Sequence, residues 1–229
     1  MCGFGRQTST LEDSHSALDK DAPVQINVLS ARGVLIEADQ GPVWMYGTAS
    51  EHELLYQYSL IGARNVLLAM IQTESPYFQG RSFAPASLNA SPHPSFPDPD
   101  CARHYECAAN VPLKPYVTSQ EDRALGLHLE RCHSIFVLGA GLYSFFDSYA
   151  QDTLAAHACQ RRICVIDDEK PGTSSDIWLF HIATVGTEVI LTMDGQDVVP
   201  EDTYREGFCS TLTLAALHPH GQTEGVFLL

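Results

Sequence analysis

Val43-Trp44-Met45-Tyr46-Gly47-Thr48-Ala49-Ser50-Glu51 is answered 23 residues later by Val66-Leu67-Leu68-Ala69-Met70-Ile71-Gln72-Thr73-Glu74. Each stretch is an apolar, β-type run that closes on a hydroxyl residue followed by a carboxylate. A repeat of this length is the signature of a solenoid, in which every turn of chain stacks on the one before. Stacked strands lie about 4.8 Å apart. The spacing therefore predicts that Glu51 and Glu74 sit at the same rim of adjacent coils, and two carboxylates held side by side are what hydrolysis of a glycosidic bond requires.

Other runs support the stack. From Gln25 onward the chain shows short apolar segments at Gln25–Leu29, Val34–Glu37, Val43–Tyr46, Leu54–Leu60 and Val66–Gln72, parted by polar or Gly-containing breaks. None of the breaks holds an amphipathic helix, which excludes a βαβ sheet and predicts an all-β architecture. A second echo links Ala31-Arg32-Gly33-Val34-Leu35-Ile36 to Ala63-Arg64-Asn65-Val66-Leu67-Leu68, with looser copies at Cys132-His133-Ser134-Ile135-Phe136-Val137 and Ser174-Ser175-Asp176-Ile177-Trp178-Leu179-Phe180. Gly, Asn and Ser recur where a turn enters a strand, as residues that tolerate turn conformations should. Residues 1–23 are polar and aperiodic, and read as a poorly ordered lead-in to a single domain over 24–229. A Pro-rich insertion over 75–120 interrupts that domain immediately after Glu74, a placement suited to a lid or binding rim.

Composition bounds the chemistry. Of 229 residues, 45 % are hydrophobic and 18 % charged, which suits a globular core rather than disorder. A formal charge of −15 argues against nucleic acid, whose phosphates need clustered Lys and Arg, and fits a neutral polymer. No apolar run reaches the roughly 18 residues that span a bilayer, and Met1-Cys2-Gly3-Phe4-Gly5-Arg6-Gln7 lacks the apolar core of a signal peptide. The cysteines point the other way. Of seven, Cys101 with Cys107 and Cys159 with Cys164 form close pairs in polar surroundings, the pattern of local disulfides in a secreted protein. Four thiols in a cytosolic protein is the alternative. The gaps do not match zinc knuckles, so no metal and no cofactor is expected. Asn89-Ala90-Ser91 is a glycosylation sequon, which also suits secretion. Cys132 is expected as a buried thiol.

Gln25-Ile26-Asn27-Val28, Arg32-Gly33-Val34-Leu35-Ile36-Glu37, Tyr46-Gly47-Thr48-Ala49-Ser50-Glu51-His52, Leu55-Tyr56-Gln57-Tyr58, Ile71-Gln72-Thr73-Glu74-Ser75-Pro76-Tyr77 and Gly139-Ala140-Gly141-Leu142-Tyr143-Ser144-Phe145-Phe146 together resemble the second half of fungal exo-β-1,3-glucanases of glycoside hydrolase family 55. The resemblance covers roughly Gln25 to Leu217. It implies a right-handed, single-stranded parallel β-helix of the pectin-lyase type, here partial, and an inverting glucan 1,3-β-glucosidase that releases glucose from chain ends. Members of that family are several times longer and build their cleft between two tandem β-helices, so this chain would supply the later part of the second. By the same resemblance Glu74 is the general acid and Glu51 helps hold the attacking water.

The residues themselves agree. Glu74, near Ile71, Pro76 and Tyr77, has the more apolar surroundings that raise an acid's pKa, whereas Glu51, followed by His52 and Glu53, has polar ones. Tyr77 is the candidate for stacking on a sugar ring. Gln57 and Tyr56 are candidates for sugar contacts, and His52 for orienting Glu51. Tyr56 and Tyr58 are expected on one face of a strand, with Gln57 on the other. The expected partner is a β-1,3-glucan, handled by a secreted monomer. Two rival readings remain: a carbohydrate-binding remnant without turnover, and a structural solenoid with no sugar function. A pectin-type lyase is disfavoured, because no Asp cluster suited to Ca²⁺ stands at strand positions.

Overall fold

The computed structural model describes residues 32–53, 56–75, 125–145, 153–167, 173–217 and 226–228. The proposed lead-in, nearly all of the Pro-rich insertion, the expected strand at Gln25–Leu29, and Tyr77, Cys101 and Cys107 lie outside the described residues.

Among the described residues, twelve strands make up two sheets. They are β1 (Arg32–Ile36), β2 (Val43–Tyr46), β3 (Tyr56–Ile61), β4 (Arg64–Thr73), β5 (Leu125–Glu130), β6 (His133–Tyr143), β7 (Gln160–Ile166), β8 (Ser175–Val185), β9 (Thr187–Met193), β10 (Gln196–Pro200), β11 (Ser210–Leu217) and β12 (Val226–Leu228). One sheet runs β1-β3-β5-β7-β9-β10 and the other β12-β11-β8-β6-β4-β2. From β1 to β9 the chain therefore alternates between the sheets and returns each time beside its previous pass, with every pairing parallel. The all-β expectation holds, and the parallel-rich sheets are compatible with a β-helix. At the far end β10 returns antiparallel on β9, and β11 antiparallel on β8. No helix among the described residues is long and apolar enough to cross a membrane.

The repeat sets the register. Val43, Trp44, Met45 and Tyr46 lie opposite Val66, Leu67, Leu68 and Ala69, each pair 23 residues apart. The looser echoes are stacked as well: Arg64, His133 and Ser175 form one column, and Val66, Ile135 and Ile177 the next. The first copy is an exception. Ala31 is not described, and Arg32–Ile36 joins the other sheet, pairing with Tyr56–Leu60. Sequence likeness here reflects the shared need for a turn residue before an apolar strand, not a shared rung.

Two bends shape each long rung. Asn65, Ser134 and Asp176 all hold positive φ, at 55°, 56° and 55°, as do Met70, Gly139 and His181 at 53°, 74° and 56°. The ladder between β4 and β6 skips Asn65 and Met70 with its offset unchanged, because the left-handed residues of neighbouring strands stand side by side and the strands bend together. Between the bends, Val66, Leu68, Ile135, Val137, Ile177 and Leu179 are at most 1 % exposed. They join Tyr58, Leu60, Leu127, Leu129 and Ile163 in one apolar core. Fully burying each such side chain contributes about 1.5–3 kcal/mol.

One expectation fails here. Cys164 lies inside β7, fully buried, and Cys159 lies just before that strand. Five residues of extended chain span about 16 Å, far beyond the roughly 7 Å that a disulfide tolerates between Cα atoms. The two are separate buried thiols, not a bridge. Burial in an apolar core pushes the Cys164 thiol up to about 12. Both faces of β3 are covered, since every residue from Tyr56 to Ile61 is buried; Tyr58 and Leu60 enter the apolar core, while Gln57 and Ser59 meet the polar partners Glu53 and His128. Cys132, as anticipated, is a buried thiol; it donates to Leu60 O at 3.3 Å.

Candidate active site

The register continues past the end of β2. Gly47 N donates to Ala69 O, Gln72 N to Thr48 O, Ser50 N to Gln72 O and His52 N to Glu74 O, at 2.9, 3.0, 3.1 and 3.2 Å. Gly47, with φ 61°, lets the chain turn there without losing this ladder. Glu51 is thereby carried to the rung beside Glu74, as the repeat predicted. Gln72 ties the two together: its Nε2 donates to Glu51 Oε1 at 2.7 Å and reaches Glu74 Oε1 at 3.5 Å.

His52 is positioned by Ser75 and Glu74. Its Nδ1 lies 2.8 Å from the Ser75 carbonyl oxygen, an acceptor only, so that nitrogen carries the proton and donates. Nε2 then faces Glu74 Oε2 at 3.6 Å. The imidazole thus faces Glu74. One polar atom from each of Glu51, His52 and Glu74 lies within 4.8 Å of the others. Two carboxylates and an imidazole at such separations also have the composition of a divalent-cation ligand set.

Electrostatics distinguish the acids. Burial raises the Glu74 pKa, the Glu51 charge raises it further, and His52 holds it down. That combination suits a group that must keep a proton until it is delivered. Glu53, which the sequence reading passed over, is pushed up to about 7, chiefly by burial. It is 6 % exposed and accepts from Ser50 Oγ at 3.3 Å, so it backs the site instead of opening onto it.

Gln57 and Tyr56 do not join the pair at a surface. Gln57 is 1 % exposed, and its amide is spent on the Glu53 backbone, accepting from the N–H at 3.2 Å and donating to the carbonyl at 2.9 Å. Tyr56 is likewise 1 % exposed. Burial removes both from contact with a polymer and gives them a supporting role beneath the Ser50–Glu53 turn. Gly33 shows how tight that support is, since a Cβ there would stand 2.1 Å from Gln57 O and 2.5 Å from Ser50 Oγ.

Tyr143 takes the place beside the acid. Thr73 pairs with Leu142, so Tyr143 follows on the rung next to Glu74. Its phenol pKa is raised by burial, then by Cys209 and by the Glu74 charge. Phe145 packs against it with ring centroids 5.5 Å apart, and Phe145 N donates to Ser75 Oγ at 3.2 Å. The signal for Tyr143 was present in the sequence, because the echo of Ala63–Leu68 at Cys132–Val137 has the offset of 69 that aligns it with Glu74. It is legible only once the insertion is known to leave the stack intact.

No family model matches this chain. Curated relatives do. A probable glucan endo-1,3-β-glucosidase of Arthroderma benhamiae is 36 % identical over 83 % of this chain and 19 % of its own length. A glucan 1,3-β-glucosidase of Cochliobolus carbonum is 31 % identical over 79 % of this chain and 20 % of its own. A Penicillium expansum protein named a non-secreted LysM effector is 32 % identical over 85 % of this chain and 11 % of its own. The chain thus spans between a tenth and a fifth of the length of these relatives. Over about four fifths of its residues it is homologous to proteins named glucan 1,3-β-glucosidases, consistent with the resemblance to the family-55 glucanases.

Proposed function

We propose that this chain carries the acid and water-holding carboxylates of a β-1,3-glucan hydrolase, mounted on a right-handed parallel β-helix. The observation that carries this reading is the pair itself: Glu51 and Glu74 on adjacent rungs, bridged by Gln72, in a chain whose relatives are named for that substrate. Glu74, with its raised pKa, protonates the leaving glycosidic oxygen. Glu51 orients and deprotonates the attacking water on the opposite side of the sugar, and the anomeric carbon inverts. Attack proceeds from chain ends, releasing glucose, although the name of one relative specifies endo action. Secretion as a monomer completes the reading. It now rests on the glucanase relatives and the sequon, since the Cys159–Cys164 bridge is gone and another relative is named non-secreted.

One observation favours a binding role with little turnover as the second reading. Carboxylate oxygens within 4.8 Å of each other place the two groups near or below the lower end of the roughly 6.5–9.5 Å that leaves room for a water. Hydrolysis then requires the side chains to part when substrate enters.

The experiment is hydrolysis of linear β-1,3-glucan, followed by NMR of the first sugar released. The hydrolytic reading expects α-glucose, and expects Glu74→Gln to lower the rate by about 10³-fold or more while substrate binding survives. β-Glucose would replace inversion with retention. Binding without any release of sugar would favour the second reading, and neither binding nor release would remove glucan as the ligand.

A further inference from the structure

The face of β2, β4, β6 and β8 that lies between the two left-handed columns is unusually apolar on its outer side. Register places Trp44, Leu67, Phe136 and Trp178 in one row and Tyr46, Ala69, Leu138 and Phe180 in the next. None of these eight positions is charged, in a chain of net charge −15. Trp44 is 77 % exposed and Tyr46 75 %, with Phe136 and Leu138 near 40 %. Ala69, the smallest side chain of the row, lies between Tyr46 and Leu138 and is 7 % exposed. A contiguous apolar surface of this kind on an acidic protein marks a binding face.

We propose that this face is a second carbohydrate subsite, which holds a run of a neutral β-glucan chain away from the catalytic pair. The inference rests on the glucan reading above and extends it. Aromatic side chains present an apolar face to the C–H side of a pyranose and leave its hydroxyls to water. Trp44 and Phe136, two rungs apart, are separated by about 9.6 Å of sheet, a span suited to every second sugar of one chain. The far end of the face is held rigid. Trp178 Nε1 donates to Asp176 Oδ1 at 2.8 Å, Ser134 Oγ donates to Asp176 Oδ2 at 2.6 Å, and the Trp178 and Phe180 rings stack at 5.9 Å, tilted by only 7°. Rings already ordered lose little freedom on binding.

Charge selects the occupant. A second copy of this chain would bring another −15 against the first, and a nucleic acid would be repelled in the same way. A neutral polysaccharide meets no such field. The face is also continuous with the catalytic rung, since Ala69 is followed by the Met70 bend and then by Gln72 and Glu74 on the same strand and its end. A glucan held on the face could feed the adjoining rim.

The test is co-sedimentation with insoluble linear β-1,3-glucan particles, beside calorimetry with a short soluble β-1,3-gluco-oligosaccharide. The proposal expects Trp44→Ala/Tyr46→Ala, two exposed positions whose truncation leaves the core intact, to weaken particle binding at least ten-fold while oligosaccharide binding is unchanged. Leu138→Lys, which places a charge on the face, should do the same. Glu74→Gln should leave particle binding in place. If the wild-type chain binds particles and both face variants bind them equally well, this subsite is rejected while the glucan reading stands. If the wild type binds neither particles nor oligosaccharide, the glucan reading fails and takes this one with it. A wild-type dimer in sedimentation velocity that the face variants dissociate would make a second copy the occupant and also overturn the proposal.

Discussion

Two glutamates in this protein each face a histidine, and their pKa values move in opposite directions. Glu74, at the rim of the parallel stack, has its pKa raised by burial and by Glu51, with His52 opposing. Glu201, at the antiparallel end, is more deeply buried at 1 % exposure, and that burial alone would push its pKa up. Arg205 and Ser210 both hydrogen-bond to its carboxylate, His157 Nδ1 lies 2.8 Å away, and together they hold the pKa below its usual range. The difference lies in the number of donors, not in depth. A carboxylate surrounded by donors is a structural clamp, here fastening the 3-10 turn Glu201–Tyr204 and the 153–157 turn to the start of β11. A carboxylate left with a like-charged neighbour, one glutamine and a histidine at 3.6 Å keeps its proton to higher pH, as an acid catalyst must.

Removing each carboxylate should separate the two roles. Glu201→Ala strands the groups arranged around it and should lower unfolding stability by about 3 kcal/mol in urea. Glu74→Ala should cost less than about 1 kcal/mol, because it also removes repulsion from Glu51. Equal losses would erase the distinction.

Stability against pH sharpens it further. Glu53, raised to about 7, binds more protons in the folded chain than in the unfolded one between about 4.5 and 7. Its contribution is therefore full at acid pH and is lost as pH rises through 7, by about 2 kcal/mol once solvent screening is allowed for. Glu201, with its lowered pKa, contributes in the opposite sense, and its stabilisation is lost as pH falls. Thermal melts of Glu53→Gln should show less loss of stability between pH 5 and 8, and melts of Glu201→Gln less loss on acidification.

The charges around Glu74 can be dissected by carboxyl NMR. Glu51→Gln removes a charge that raises its pKa and should move the Glu74 titration to lower pH. His52→Ala should move it to higher pH. No shift in either variant would mean that burial alone sets the value. The smallest effect is in the backbone. A Cβ at Gly139, with φ 74°, would meet nothing within 4 Å, so Gly139→Ala should cost only the left-handed penalty, about 1 kcal/mol. A larger loss would show that this bend is held by more than local geometry.

The 23-residue repeat was sufficient by itself to pair Val43–Tyr46 with Val66–Ala69 and to carry Glu51 beside Glu74. A parallel ladder converts sequence offset into spatial neighbourhood, one residue for one. The all-β class followed from strand-length apolar runs without intervening helices. The first echo failed at Arg32–Ile36 because a turn residue before an apolar run is required on entry to either sheet, so likeness there does not say which sheet. Gln57 and Tyr56 were misread because alternation shows which residues share a face, whereas the second face of β3 is covered by packing that no local pattern reports. The Cys159–Cys164 pair was misread because a short gap brings two thiols together in a turn and separates them in a strand.

Tertiary structure alone decided which acids are surrounded by donors and which are not. Arg205 lies four residues from Glu201, but His157 comes from 44 residues away and Ser210 from a separate strand. His52 reaches Glu74 only because the 23-residue register brings the two together. A side chain's charge state depends on the dielectric and the donors within a few ångströms, and those are supplied by chain that is distant in sequence. The sequence determined where the carboxylates stand; the packing around them decided which one holds its proton to higher pH and which gives it up at lower pH.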